Sequence, residues 1–151
     1  MGTLAYLAPL LPAWVMAVTD WRERSIGVVW LVVFSLLTVL SARMAFGWGG
    51  VLENVGFGMV VCLLLGGVLW TWSRWQGIPL SRAIGVGDVL FVLSFTPEFA
   101  PLSFVRFLTL SLLTILILWF ILGRRFHLRT VPLVSGLVLC LTCKLLIDKI
   151  L

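Results

Sequence analysis

The length of its apolar runs constrains this chain more than any other feature. Leu4 to Val18, Ile26 to Ala42 and Val55 to Trp72 hold no charged residue, and Leu102 to Leu122 and Val131 to Ile147 hold one each. A helix needs about 20 largely apolar residues to cross the hydrocarbon of a bilayer, and about 17 suffice. These runs are continuous and do not alternate, so they do not read as the strands of an outer-membrane barrel. Composition argues against a soluble domain: 62% of the residues are apolar and 11% are charged, where a soluble chain is nearer half apolar and a quarter charged. The net charge of +5 does not make a nucleic-acid binder, because the 11 Lys and Arg lie scattered between apolar blocks. Cys62, Cys140 and Cys143 are odd in number and sit inside apolar runs, which excludes a disulfide-framed secreted domain.

A sixth segment, Ile84 to Phe95, is short and is followed by the breaker Thr96-Pro97-Glu98. Charge argues that it crosses. With six spans and the N-terminus outside, the inner loops hold Arg22, Arg24, Arg74, Arg82, Arg124, Arg125 and Arg129, and the outer side holds Arg43, Arg106, Lys144 and Lys149. That is the positive-inside asymmetry of membrane proteins. If the segment only dipped in, the Arg124, Arg125 and Arg129 cluster would lie outside, against the rule. The expected fold class is therefore an all-α integral membrane protein, a six-helix transmembrane bundle with both termini outside. Its spans lie roughly at 4–19, 26–43, 55–73, 84–100, 102–122 and 131–147 of a single domain, 1–151. No Lys or Arg precedes Asp20, so the first run is not expected to be a cleavable secretory signal. The eight tryptophans fall mostly near span ends, as an aromatic belt would place them.

Acidic residues are scarce: Asp20, Glu23, Glu53, Asp88, Glu98 and Asp148. An ionisable group inside a span or at its end is costly, and it marks function by default. Asp20 closes the first run, and Asp88 opens the fourth directly after Gly85-Val86-Gly87. In the six-span arrangement both fall at cytoplasmic helix ends, where a bundle could bring them together. Two carboxylates held close at low dielectric do not both ionise cheaply, so one keeps a proton while the other accepts one. Such a pair can deprotonate a water attacking a peptide carbonyl and protonate the leaving amine, without a metal or a nucleophilic side chain. Gly85 and Gly87 permit φ above zero and leave room for an extended peptide beside Asp88. Each aspartate also has a plainer reading. Asp20 could be an interfacial acid paired with Arg22 or Arg24, and Asp88 a first-turn acid of the kind helix N-termini favour.

These residues resemble a family. Gly85-Val86-Gly87-Asp88 resembles the GxGD signature of intramembrane aspartic proteases. Asp20-Trp21-Arg22-Glu23-Arg24-Ser25-Ile26 is similar to the first-aspartate motif of type IV prepilin peptidases and preflagellin peptidases. Thr130-Val131-Pro132-Leu133 is similar to the Ile/Val-Pro-Phe lead into that family's last span. The resemblance runs in order across nearly the whole chain. It implies a membrane aspartic endopeptidase with Asp20 and Asp88 as the catalytic pair and with Gly85, Gly87, Arg24 and Pro132 shaping the site. It implies no cofactor, and as substrates prepilin-like proteins whose short basic leader is cut at the cytoplasmic face, before a hydrophobic helix. The compartment it implies is a prokaryotic inner membrane. Because the chain starts directly at the first span, the resemblance points to the short form without the methyltransferase region.

The chain departs from the family pattern at three places. Leu90 stands where the family has Lys, Gly27-Val28 where it has Pro-Asn, and Leu133-Val134-Ser135 where it has Phe-Gly-Pro. These touch substrate recognition more than chemistry. They keep open an alternative, a catalytically silent subunit that binds pilin-like helices or scaffolds a membrane assembly. A small transporter is the weaker third reading, since no internal repeat of broken helices is visible. Cys140-x-x-Cys143 has no second ligand pair, and the only histidine, His127, lies in the loop before that span. The cysteines are expected to be packing residues, and no metal site is expected.

Overall fold

The computed structural model describes residues 8–23, 27–77, 85–126 and 133–150. Arg24, Pro132 and the Ile84 end of the fourth expected span lie outside them. The described residues are almost all helical, and none is in a strand. They form α1 (Leu10–Glu23), α2 (Val28–Gln76), α3 (Val86–Phe95), a 3-10 turn (Thr96–Glu98), α4 (Pro101–Phe126) and α5 (Leu133–Ile150). α2 and the Pro101–Leu118 part of α4 are long and apolar enough to cross a membrane, each with a mean hydropathy of 2.0. Both leave large apolar side chains exposed, among them Val28, Val29, Leu52, Leu63, Leu110 and Ile121.

The chain divides into two compact units, residues 1–34 with 106–151, and residues 35–105. In the first unit α1 packs on α5. The buried positions of α1 include Ala13, Met16, Ala17 and Asp20, and those of α5 include Val134, Leu137, Val138 and Leu141. Both sets follow the i, i+3, i+4, i+7 spacing that puts side chains on one helix face. Asp20 thus occupies the last position of an otherwise apolar stripe. Gly136 lets α5 approach α4: a Cβ there would stand 2.5 Å from a side-chain carbon of Ile115.

In the second unit the loop expected between the second and third runs is replaced by one residue. α2 is two helices meeting at Gly47, whose φ of 70° and ψ of 178° interrupt the helix. That backbone region is essentially reserved for glycine, because a Cβ collides there with the backbone. The bend is sharp, as two hydrogen bonds prove. Thr38 Oγ1 donates to the Ser94 carbonyl at 2.6 Å, and Asn54 Nδ2 donates to the Pro97 carbonyl at 3.1 Å. In a straight helix Thr38 and Asn54 would stand about 24 Å apart, whereas carbonyls three residues apart span at most about 11 Å. Both halves of α2 therefore converge on the same short segment. Gly58 strengthens this convergence, since a Cβ at that position would overlap the Thr96 side chain.

The fourth expected span does not form as one helix over 84–100. α3 has 10 residues and gives way to the 3-10 turn at Thr96, so it rises about 15 Å, half the thickness of the hydrocarbon. Pro97 contributes through its missing N–H; Thr96 before it keeps helical angles, φ −55° and ψ −35°, and the chain turns extended at Phe99, φ −122° and ψ 130°. Pro101 then opens α4 as its first residue, where a missing N–H costs nothing. Phe95 holds the break closed, with its ring centroid 5.6 Å from Phe91, 5.9 Å from Phe99 and 5.9 Å from Phe104. At the far end of α2, Gly77 takes a φ of 67° and stops the helix as a left-handed residue.

Candidate functional site

Asp20 lies in the first unit, on α1, and is buried, with 7% of its surface exposed. Its partners come from α5, 115 residues along the chain. The Ser135 backbone N–H donates to Asp20 Oδ2 at 3.2 Å, and Ser135 Oγ lies 3.1 Å from the same oxygen. Ser135 Oγ also lies 2.8 Å from the Ala17 carbonyl, so its single proton serves one of two acceptors on α1. Ser135 is the third residue of α5, and a first-turn N–H has no carbonyl acceptor within its own helix. Asp20 satisfies that orphan donor. The carboxylate therefore caps α5 from a neighbouring helix, where the partial positive charge of the helix end favours a negative group. Among the described residues no hydrogen bond reaches its other oxygen, Oδ1. Of the plainer pairings, that with Arg22 is absent among the described residues, since Arg22 is exposed and the carboxylate turns to α5; Arg24 lies outside them.

Asp88 lies in the second unit, half-buried, in the first turn of α3. Its Oδ2 accepts the Gly85 N–H at 3.3 Å, while the Asp88 N–H donates to the Gly85 carbonyl at 3.1 Å. The side chain thus folds back onto the residue that caps its own helix. Gly85 is extended, with φ −73° and ψ 137°, and Gly87 is helical. Neither uses the positive φ expected of the GxGD glycines; among the described residues only Gly47 and Gly77 do. Gly85 serves another purpose. A Cβ there would sit 3.1 Å from Asp88 Oδ2, so its absence is what gives the carboxylate room against the N-cap.

Leu90 is exposed, one turn from Gly87. Arg24 and Pro132, expected to shape the site, lie outside the described residues. Cys62, Cys140 and Cys143 are free thiols, and Cys140 lies in hydrogen-bond reach of the buried Ser111 hydroxyl. Among the described residues no group of three or more His, Cys, Asp or Glu could hold a metal. The residue that sequence reasoning missed is Ser135. It was visible only as a departure from the family pattern, although a serine three residues after a proline, opening an apolar helix, is a recognisable first-turn hydroxyl.

Compared with protein families, with characterised proteins and with solved structures, the chain matches none.

Proposed function

We propose that this chain is a membrane aspartic endopeptidase of prepilin-peptidase type, with Asp20 and Asp88 as its two carboxylates. The observation that carries the reading is Asp20 itself: a buried carboxylate closing an apolar helix face, tied through one oxygen, with no bond to the other among the described residues. Burying a charged group in apolar surroundings costs several kcal/mol, on the order of the whole stability of a domain, unless it is well bonded or useful. Asp88 follows the glycine pattern of the GxGD signature, and its carboxylate is held at the start of α3. In this reading one carboxyl group takes a proton from water and the other gives one to the leaving amine. The substrates are prepilin-like proteins, cut between a short basic leader and a hydrophobic helix at the cytoplasmic face of a prokaryotic inner membrane.

The membrane setting of this proposal draws support from the second half of α2. The Arg43 guanidinium lies 4.8 Å from the Trp48 ring centre, and that of Arg74 lies 5.5 Å from the Trp70 ring centre. Trp48 and Trp70 are 22 residues apart in one helical segment, a rise of about 33 Å, close to the thickness of the hydrocarbon layer. Arg and Trp at both ends of such a segment match the interfacial anchoring of membrane helices. Counting the halves of α2 separately, α1 to α5 supply six helical segments in the order of the six expected spans.

Cleavage of pilin-like precursors in membranes tests the proposal, with wild type set against Asp20→Asn and Asp88→Asn at matched expression. Wild type should cut, and each variant should lose activity by about 1,000-fold or more, as for groups that act as one catalytic unit. An Asn variant that cuts like wild type removes its aspartate from the mechanism. The exposed Leu90, where the family has Lys, favours the silent subunit. That second reading prevails if no precursor is cut while pilin-like helices still bind the protein.

A further inference from the structure

We infer that Ser135 is the positioning residue for Asp20, and that it selects Oδ1 as the carboxylate oxygen that acts on the substrate. The inference rests on the peptidase reading above and adds a residue that the family resemblance does not supply. Three features carry it. Ser135 reaches Asp20 with two donors of different kind, a backbone N–H at 3.2 Å and a hydroxyl at 3.1 Å, and both address the same oxygen. The contact joins segments 115 residues apart, so it exists only when α1 and α5 are packed. The same hydroxyl lies 2.8 Å from the Ala17 carbonyl, one turn before Asp20, so its one proton goes to α1 either way, to the carboxylate or to the backbone beside it, while the N–H stays on Oδ2.

A carboxylate on a two-torsion side chain otherwise presents either oxygen in several rotamers. With Oδ2 engaged by α5, rotation about the Cβ–Cγ bond is restrained, and Oδ1 is the acceptor that no described residue occupies. Misplacing a catalytic group by about 1 Å costs about 100-fold in rate. A hydroxyl that holds the group in place should therefore show in kcat more than in KM. Two of the buried hydroxyls bond backbone carbonyls elsewhere, Thr38 that of Ser94 and Thr96 that of Leu93.

The test uses the full chain in lipid bicelles with a synthetic precursor peptide carrying a basic leader and a hydrophobic helix. Ser135→Ala removes the hydroxyl and keeps the N–H. It should lower kcat about 10- to 100-fold with KM within about twofold, and displace the acid limb of the pH–rate profile. Ser135→Thr restores the hydroxyl and should return kcat to within about threefold of wild type. A double-mutant cycle on unfolding, with Ser135→Ala and Asp20→Asn, should show coupling between the two sites. The inference is overturned if Ser135→Ala keeps wild-type kcat and pH profile, if Ser135→Thr is as slow as Ser135→Ala, or if the coupling is absent. Coupling with unchanged kcat makes Ser135 a structural cap only, which also overturns it. The two levels fail separately. If wild type cuts and Asp20→Asn does not, the peptidase reading stands and the Ser135 variants alone decide. If wild type cuts nothing, the reading falls and takes the positioning role with it, whatever the coupling.

Discussion

The two aspartates are held in opposite ways. Asp20 is bonded at its carboxylate by a helix from the far end of the sequence, and its surroundings are buried side chains of α1 and α5. Asp88 is bonded by Gly85, three residues away, and is half-buried. The helix that carries Asp88 is fixed at its other end. There Thr38 and Asn54, one from each half of α2, take the carbonyls of Ser94 and Pro97, and the rings of Phe91, Phe95, Phe99 and Phe104 close around the break. One carboxylate is thus bonded across tertiary packing, and the other folds back on a local turn at the start of its own helix. A group of the first kind keeps its geometry only while the fold is intact, but keeps it tightly. A group of the second kind forms with its helix and can move with it.

The largest break in this contrast should come at Gly47, which lets both halves of α2 reach the base of α3. A Cβ at Gly47 meets nothing within 4 Å, and the same holds at Gly49, so the two positions differ only in backbone conformation. Gly47→Ala should cost up to about 3 kcal/mol, the upper range for a residue forced into a glycine-only region. Gly49→Ala, in regular helix, should be neutral or stabilise by up to about 1 kcal/mol. Unfolding in bicelles measures both, and equal effects would mean that Gly47 is not the hinge of the unit. Next in size is Asp20→Ala. It leaves the Ser135 N–H without its acceptor in a packed interface, while the hydroxyl keeps the Ala17 carbonyl, a loss of about 2 kcal/mol. Asp20→Asn keeps an acceptor oxygen and should cost less stability while abolishing cleavage. Asp88→Ala removes a first-turn acid from a half-exposed helix end and should cost about 0.5–1 kcal/mol. If Asp88→Ala destabilises as much as Asp20→Ala, the local-versus-tertiary contrast does not hold.

The same contrast explains what the sequence could tell. Long apolar runs and the glycines before Asp88 are local signals, and they located the helices and the first-turn acid. Among the described residues Gly47, Gly77, Pro97 and Pro101 are the breakers that bound the helices from α2 to α4. Two boundaries were misread. The stretch 44–54 carries Arg43 and Glu53 at its ends and reads as a loop, yet helix continues on both sides of Gly47 because one glycine with positive φ suffices to turn it. The segment to residue 100 reads as a span because it is apolar, yet α3 has 10 residues and gives way to the 3-10 turn that holds Pro97. The Ser135 bond to Asp20 was not legible at all. It depends on the register of α1 against α5, and periodicity gives the face of each helix without giving its mate.

The smallest stability effect should come at Gly85, and it separates local geometry from chemistry. Gly85→Ala places a Cβ 3.1 Å from Asp88 Oδ2, tight enough that the carboxylate must shift by a few tenths of an ångström. The backbone tolerates the change, since Gly85 has φ −73° and ψ 137°, values any residue adopts. Reduced flexibility of the unfolded chain offsets part of the lost cap, so stability should change by less than about 0.5 kcal/mol. Cleavage should respond more strongly, because the displaced group is one of the two carboxylates and a misplacement of this size costs several-fold to about tenfold in kcat. Measuring both in the same preparation gives the comparison its finest test. If stability and kcat are both unchanged, the glycine of the signature is not there to make room for Asp88, and its place in the motif needs another physical cause. If stability collapses, the turn at Gly85 is holding more of the unit than a first-turn cap does, and Asp88 belongs with Asp20 among groups set by the fold.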